Sequence, residues 1–216
     1  MTYSPDTAPP LRRTDWLETH NAAVVPFTVE QYHHAIATRL IPETGSIELI
    51  DGMLVRKDRS KKGESIMSIG ADHTWSTESV QELNDGVKAF GMHIRSQQPL
   101  TLPGMHEPEP DAAFVVGTRE DFRGRKPFGP DVTCVVEVAD SSLEYDRTTK
   151  QRLYNDANIP QYVLINLIDR VIEVFDTPQP GVAKYASAKT IDAGGEVQFY
   201  LGDRPPLIIP AARLLP

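Results

Sequence analysis

The chain has 216 residues, 40% hydrophobic and 24% charged, and no uninterrupted apolar run approaches the length of a membrane span. Its 30 acidic against 22 basic residues give a net charge of −8, which argues against extensive non-specific binding to nucleic acid, whose affinity comes from neutralised phosphates. The length suits one domain with a peripheral extension, the start of the chain carries no apolar signal-peptide core, which points to the cytoplasm, and the lone Cys134 inside an apolar run reads as a buried hydrophobe.

Residues 1–26, rich in Pro, Thr and Asp, read as an arm, and residues 27–216 as a single domain. Thr28 followed three residues later by Gln31 is a capping-box pattern that opens a short helix to about Leu40. His33 and His34 are adjacent, point in different directions and read as surface or interface residues. Ile47 to Arg56 around Asp51-Gly52 is a hairpin signal, because Asp-Gly supplies the positive backbone angles of a two-residue turn. Between Glu64 and Phe90, Ile66, Ile69, Gly70, Thr77, Val80, Leu83 and Val87 recur at a helical period, with Gly91 as the stop. His73 falls on that stripe, where a lone histidine is more often a hydrogen-bonded core residue than a ligand.

Strand patterns follow at His93 to Arg95, Gln98 to Leu102 and Asp111 to Val116, and the loop from Pro103 to Pro110, with His106, Glu107 and Glu109, reads as solvated. Basic clusters at Arg56 to Lys62 and at Arg119 to Lys126 are candidates for a local basic patch, with solvated loop charge the favoured reading of either one alone. Val132 to Ala139 is a strand. Ser141 with Glu144, or Asp146, caps a helix over about Tyr145 to Ala157 that Asn158 and Pro160 end. Tyr162 to Leu167 and Val171 to Phe175 form a hairpin, Val197 to Tyr200 is a weak strand, and the closing Leu207 to Ile209 and Leu214-Leu215 fold back onto the core. The sum is an α+β (mixed α/β) fold with helices covering a curved, mostly antiparallel sheet.

Glu137 stands out because a carboxylate flanked by Val135, Val136 and Val138 is expensive to bury without a cation. Two Pro-Asp pairs compete to join it. Asp131 lies six residues away on the same strand, about 20 Å at the usual rise per residue, and cannot share an ion with it. Asp111 opens a separate strand that can lie alongside. Lys150 shares a helix face with Leu153, Tyr154 and Ala157, so it either snorkels to solvent or projects into a site. Two carboxylates and a lysine suit metal-assisted phosphodiester hydrolysis, in which hard oxygens hold Mg²⁺ and the ammonium stabilises the transition state. The bare triad also suits a structural Glu137–Lys150 ion pair.

The ordered series Glu48 in Ile-Glu-Leu-Ile-Asp-Gly, Pro110-Asp111, Val136-Glu137-Val138 with Ser141-Ser142, Asp146 with Lys150 and Tyr154, and Ile159-Pro160-Gln161-Tyr162 resembles the Uma-two family of restriction-endonuclease-like proteins. The resemblance runs from about Phe27 to the C-terminus. It implies a PD-(D/E)XK nuclease fold, with Asp111 and Glu137 as metal ligands and Glu48 and His73 as auxiliary site residues. The lysine of that pattern should stand at Ala139, and the resemblance implies that Lys150 on the helix replaces it. Asp140 stands where such proteins usually carry Ser, and Asn166 where they usually carry Asp. The expectation is therefore a Mg²⁺- or Mn²⁺-dependent endonuclease acting on DNA, with a homodimer as a natural way to address two strands. Against it stand a catalytically silent scaffold of the same fold, which the acidic net charge favours, and hydrolysis of a smaller phosphate ester.

Overall fold

The structure, a computed structural model, describes residues 25–41, 47–56 and 70–216. The arm to residue 24, Ile66, Ile69 and most of the basic cluster after Arg56 lie outside the described residues.

The capping box forms: Gln31 N–H donates to Thr28 Oγ1 at 3.2 Å and Thr28 N–H to Gln31 Oε1 at 2.9 Å, opening helix α1 (Val29–Ala37) with Tyr32 and Ala35 buried. Strands β1 (Ile47–Ile50) and β2 (Met53–Arg56) form the hairpin, with φ of 51° at Asp51 and 69° at Gly52. Gly52 is fixed twice over, since a Cβ there would also lie 2.3 Å from Pro26 Cβ. The single helical period expected up to Phe90 resolves into α2 (Ala71–Gln81) and α3 (Asn84–Lys88), and Gly91 closes α3 with φ of 68°.

The main sheet has six strands, β3 (Met92–Arg95), β4 (Ala112–Val116), β5 (Val132–Ala139), β6 (Gln161–Asn166), β7 (Val171–Asp176) and β8 (Ser187–Ile191), in that spatial order. Only β5 and β6 run parallel, joined by a helical crossover over residues 143–156; every other pair is antiparallel. All eight residues of β5 are buried, because helices and loops cover both faces of a central strand with a parallel neighbour. On one face Cys134, Val136 and Val138 pack with Val80, Val87 and Phe199; on the other Val135 and Ala139 pack with Leu153, Tyr154 and Tyr162. Strands β9 (Glu196–Phe199) and β10 (Leu207–Pro210) make a separate antiparallel pair that closes the first face with Ile209 and Leu214. No described helix is long and apolar enough to cross a membrane.

Two expectations need correction, and one strand is unexpected. Gln98 to Leu102 is not a strand and makes only isolated bridges at Thr101 and Leu102. Strand β8 lacks a hydrophobic period because it is a polar edge strand. The loop before β4 is solvated only at Pro103 to Met105; His106, Glu107, Pro108 and Pro110 are buried. Glu107 N–H donates to the Leu49 carbonyl at 2.7 Å, and its carboxylate meets His33 Nε2 at 2.7 Å as well as Lys126, so His33 is a structural partner rather than a free surface histidine.

His106 Nδ1 accepts the Asp51 N–H at 2.9 Å, a bond that needs the neutral ring, and burial pulls its pKa below the ordinary histidine range. A folded-state pKa below the unfolded one means stability is present above the unfolded value, near 6.5, and is lost as pH falls through the folded value. His106→Asn keeps an acceptor without the titration. Thermal unfolding measured from pH 7.5 to 5 is expected to show a steeper acid loss for the wild type than for this variant.

Candidate active site

The β4–β5 register pairs Ala112 with Val136, which sets Asp111 opposite Glu137 at the end of the ladder. Asp111 N–H points to Glu137 Oε2 at 3.4 Å, and Val138 N–H donates to Asp111 Oδ2 at 2.8 Å. Alternation along each strand puts both carboxylates on the face covered by the crossover helix. From above, Lys150 Nζ donates to Glu137 Oε1 at 3.1 Å and to Glu48 Oε1 at 2.7 Å. Glu48 is carried in by the β1–β2 hairpin and also accepts the Glu109 N–H at 2.8 Å. His73 from α2 completes the group with Nε2 3.3 Å from Asp111 Oδ2. The five residues singled out from the sequence thus converge from five separate elements.

The crossover is not a plain helix over Tyr145 to Ala157. It starts as an α turn at Leu143–Tyr145, widens to a π turn at Asp146–Lys150, and returns to α at Gln151–Asp156. Gln151 N–H therefore reaches the Asp146 carbonyl, five residues back. Lys150 stands at the end of this turn and is fully buried, so it projects into the site and does not snorkel. Burial alone would depress its pKa, but the Glu137, Glu48 and Asp146 carboxylates outweigh it and hold the ammonium above the ordinary lysine range. It is a fixed cation at neutral pH, unfit as a general base.

Tyr154, one turn further on, donates its hydroxyl to Glu137 Oε1 at 2.6 Å. Burial, then Glu137, raises its pKa well above the usual value, so it stays a donor. Its place four residues after Lys150 on the inward face was visible in the sequence; its hydroxyl's partner was not. Asp131 is accounted for elsewhere, with its carboxylate 2.5 Å from Arg125 Nη1 and accepting the Phe128 N–H at 3.0 Å. An open cavity of about 650 Å³ lies on the outer side of the crossover helix, among Arg147, Gln151, Arg152, Glu173 and Tyr185, and holds none of the converging residues. Its arginines are neutralised, Arg147 by Glu173 and Arg152 by Asp51.

Asn166 has a local reason. Fully buried, its Nδ2 donates to Asp169 Oδ2 at 2.8 Å and to Glu173 Oε1 at 3.1 Å, while Oδ1 accepts the Ile168 and Asp169 N–H groups. An aspartate would lose both donations and add a third carboxylate. Asn166→Asp is expected to lower stability by about 1–3 kcal/mol, measurable as a drop in urea midpoint.

Glu48, Asp111 and Glu137 are all buried; Lys150 meets Glu48 and Glu137, and His73 meets Asp111. Among the described residues no three His, Cys, Asp or Glu side chains form a metal-holding group. A metal here would rest on the hard oxygens of Asp111 and Glu137 and keep water and phosphate for the rest of its shell, a set that fits Mg²⁺ or Mn²⁺.

The arrangement is that of a nuclease-like α+β fold. A "putative nuclease belonging to DUF820" from Anabaena variabilis shares it, with a TM-score of 0.58 over 80% of this chain and 88% of that one at 16% identity. The chain belongs to the Uma2 family, described as "Putative restriction endonuclease", whose profile matches residues 29–199. No curated protein matches the chain.

Proposed function

We propose that this protein is a Mg²⁺- or Mn²⁺-dependent endonuclease hydrolysing phosphodiester bonds in DNA, with residues 27–216 as one restriction-endonuclease-like domain. The observation that carries the reading is the convergence of Asp111 and Glu137 from adjacent strands, both at most 4% exposed, beside a fully buried Lys150 that donates to Glu137 at 3.1 Å. Two hard carboxylates side by side next to a fixed cation are the set that metal-assisted phosphodiester hydrolysis uses. In this reading Asp111 and Glu137 hold the ion, which when bound would lower the pKa of an attacking water and offset charge on phosphorus. Lys150 supplies a permanent positive charge beside the reacting phosphate, Tyr154 and Glu48 hold Glu137 and Lys150 in place, and His73 orients Asp111. Family membership supports nuclease chemistry in general, and in this reading the substrate is DNA.

Incubating plasmid and single-stranded DNA with Mg²⁺ or Mn²⁺ tests the reading. Wild type is expected to cleave and Glu137→Ala is not, and clean protein that cleaves no nucleic acid with either metal would sink it. Mn²⁺ titration separates this from the silent-scaffold reading, which requires no ion at Asp111 and Glu137.

A further inference from the structure

We propose that Arg95 and Arg119 form a phosphate subsite for the nucleic-acid backbone next to the carboxylate centre. The inference rests on the nuclease reading for its ligand but on separate residues for its site. Arg95 ends β3, the edge strand, and pairs with Ala113. Paired residues in an antiparallel ladder share a face, so Arg95 lies on the face of Ala113 and hence of Asp111. The chain just beyond is tied to the site, since Gln97 N–H reaches the Asp111 carbonyl at 3.2 Å. The offset from Asp111 to Ala113 is two residues, about 7 Å along the strand. That is a step of roughly two nucleotides at about 3.4 Å of duplex axis per charge on one strand.

Arg119 opens the short 3₁₀ turn Arg119–Phe122 that follows β4. This turn packs over the same side of β3, where the Phe122 ring lies 5.6 Å from the His93 ring and is tilted against it by 42°. Arg95 is half-buried, and its Nε is buried with no hydrogen-bond partner. No carboxylate forms an ion pair with Arg95 or Arg119 among the described residues, whereas Arg125, Arg147 and Arg152 all have one. Burial, and then the charge of Arg119, both push the Arg95 guanidinium below its usual pKa. A half-buried cation beside a second cation is an unfavourable arrangement that an anion relieves. The guanidinium fork matches phosphate oxygens two at a time, and His93 adds a buried Nε2 without a partner on the same face. In a chain of net charge −8, such a local site is what draws a polyanion to this edge.

The test is fluorescence anisotropy of a labelled DNA oligonucleotide in EDTA, where no cleavage interferes, with wild type, Arg95→Gln and Arg119→Gln. Each substitution is expected to weaken binding about 3- to 10-fold and to lower the slope of log affinity against log salt by about one, while leaving Mn²⁺ affinity unchanged. Arg119 is exposed, so its variant stays informative if Arg95→Gln folds poorly. Wild-type affinity and salt slope in both variants would overturn the proposal. So would a melting temperature that inorganic phosphate raises in wild type and not in Arg95→Gln while DNA affinity is unmoved, which assigns the site to free phosphate. Arginine-dependent binding without metal-dependent cleavage leaves the subsite standing and removes the nuclease reading alone.

Discussion

Lys150→Met is expected to cost about 3–5 kcal/mol of stability at neutral pH, or roughly 6–20 °C in melting temperature for a chain of this size. The ammonium is fully buried between Glu137 at 3.1 Å and Glu48 at 2.7 Å, so methionine fills the volume but leaves two carboxylates facing each other without their cation. The deficit should shrink as pH falls through the carboxylate range, since protonation removes the buried charge. In wild type the dependence lies in the alkaline range instead: the raised lysine pKa contributes stability that is complete below the unfolded lysine value and is lost as pH rises through the folded one. Added Mn²⁺ should recover part of the variant's loss by standing in for the ammonium. On the nuclease reading, cleavage falls by about 10²–10³-fold, the usual effect of deleting one electrostatic stabiliser of a transition state. A variant as stable as wild type at pH 7 would mean that the ion pair is not what holds this part of the fold.

Glu137→Gln is the complementary experiment. Its amide oxygen still accepts from Tyr154 and Lys150, so stability should drop less than in Glu137→Ala, which leaves both donors without their acceptor. The amide cannot serve as a charged ligand, and Mn²⁺-dependent cleavage is expected to fall by more than about 100-fold, beyond what loss of a merely supporting partner costs. Calorimetric Mn²⁺ titration checks the cause: the ion's affinity must fall with the activity. Undiminished Mn²⁺ binding in Glu137→Gln would place the metal elsewhere.

Much of this site could be read in the sequence because it violates local rules. A glutamate inside Val132 to Ala139 breaks the apolar run of a doubly buried strand, and an Asp after Pro opens the strand beside it. The hairpin followed from Asp51-Gly52, whose turn chemistry is local. Glu48 was a different matter, since nothing near it in sequence marks it and only the family resemblance pointed to it; its partner Lys150 is 102 residues away. Long separation also hid the His33–Glu107–Lys126 group, whose members span 93 residues, and made a buried loop look solvated. Strand β8 escaped because an edge strand with a polar face has no period to detect, and the π turn because hydrogen-bond spacing inside a helix leaves little trace in composition.

A π turn holds one residue more than an α turn, and that surplus separates two seatings that the crossover must satisfy at once. At its start, Asp146 is buried with its carbonyl accepting the Tyr162 hydroxyl; after it, Leu153 and Tyr154 fill the core against the sheet. Removing a single residue between them would relax the backbone to α and rotate one half against the other by about 100°, so only one seating could be kept. The linker from β5 to its lysine therefore behaves like a gear train with a fixed number of teeth: its sequence can drift, but its count cannot.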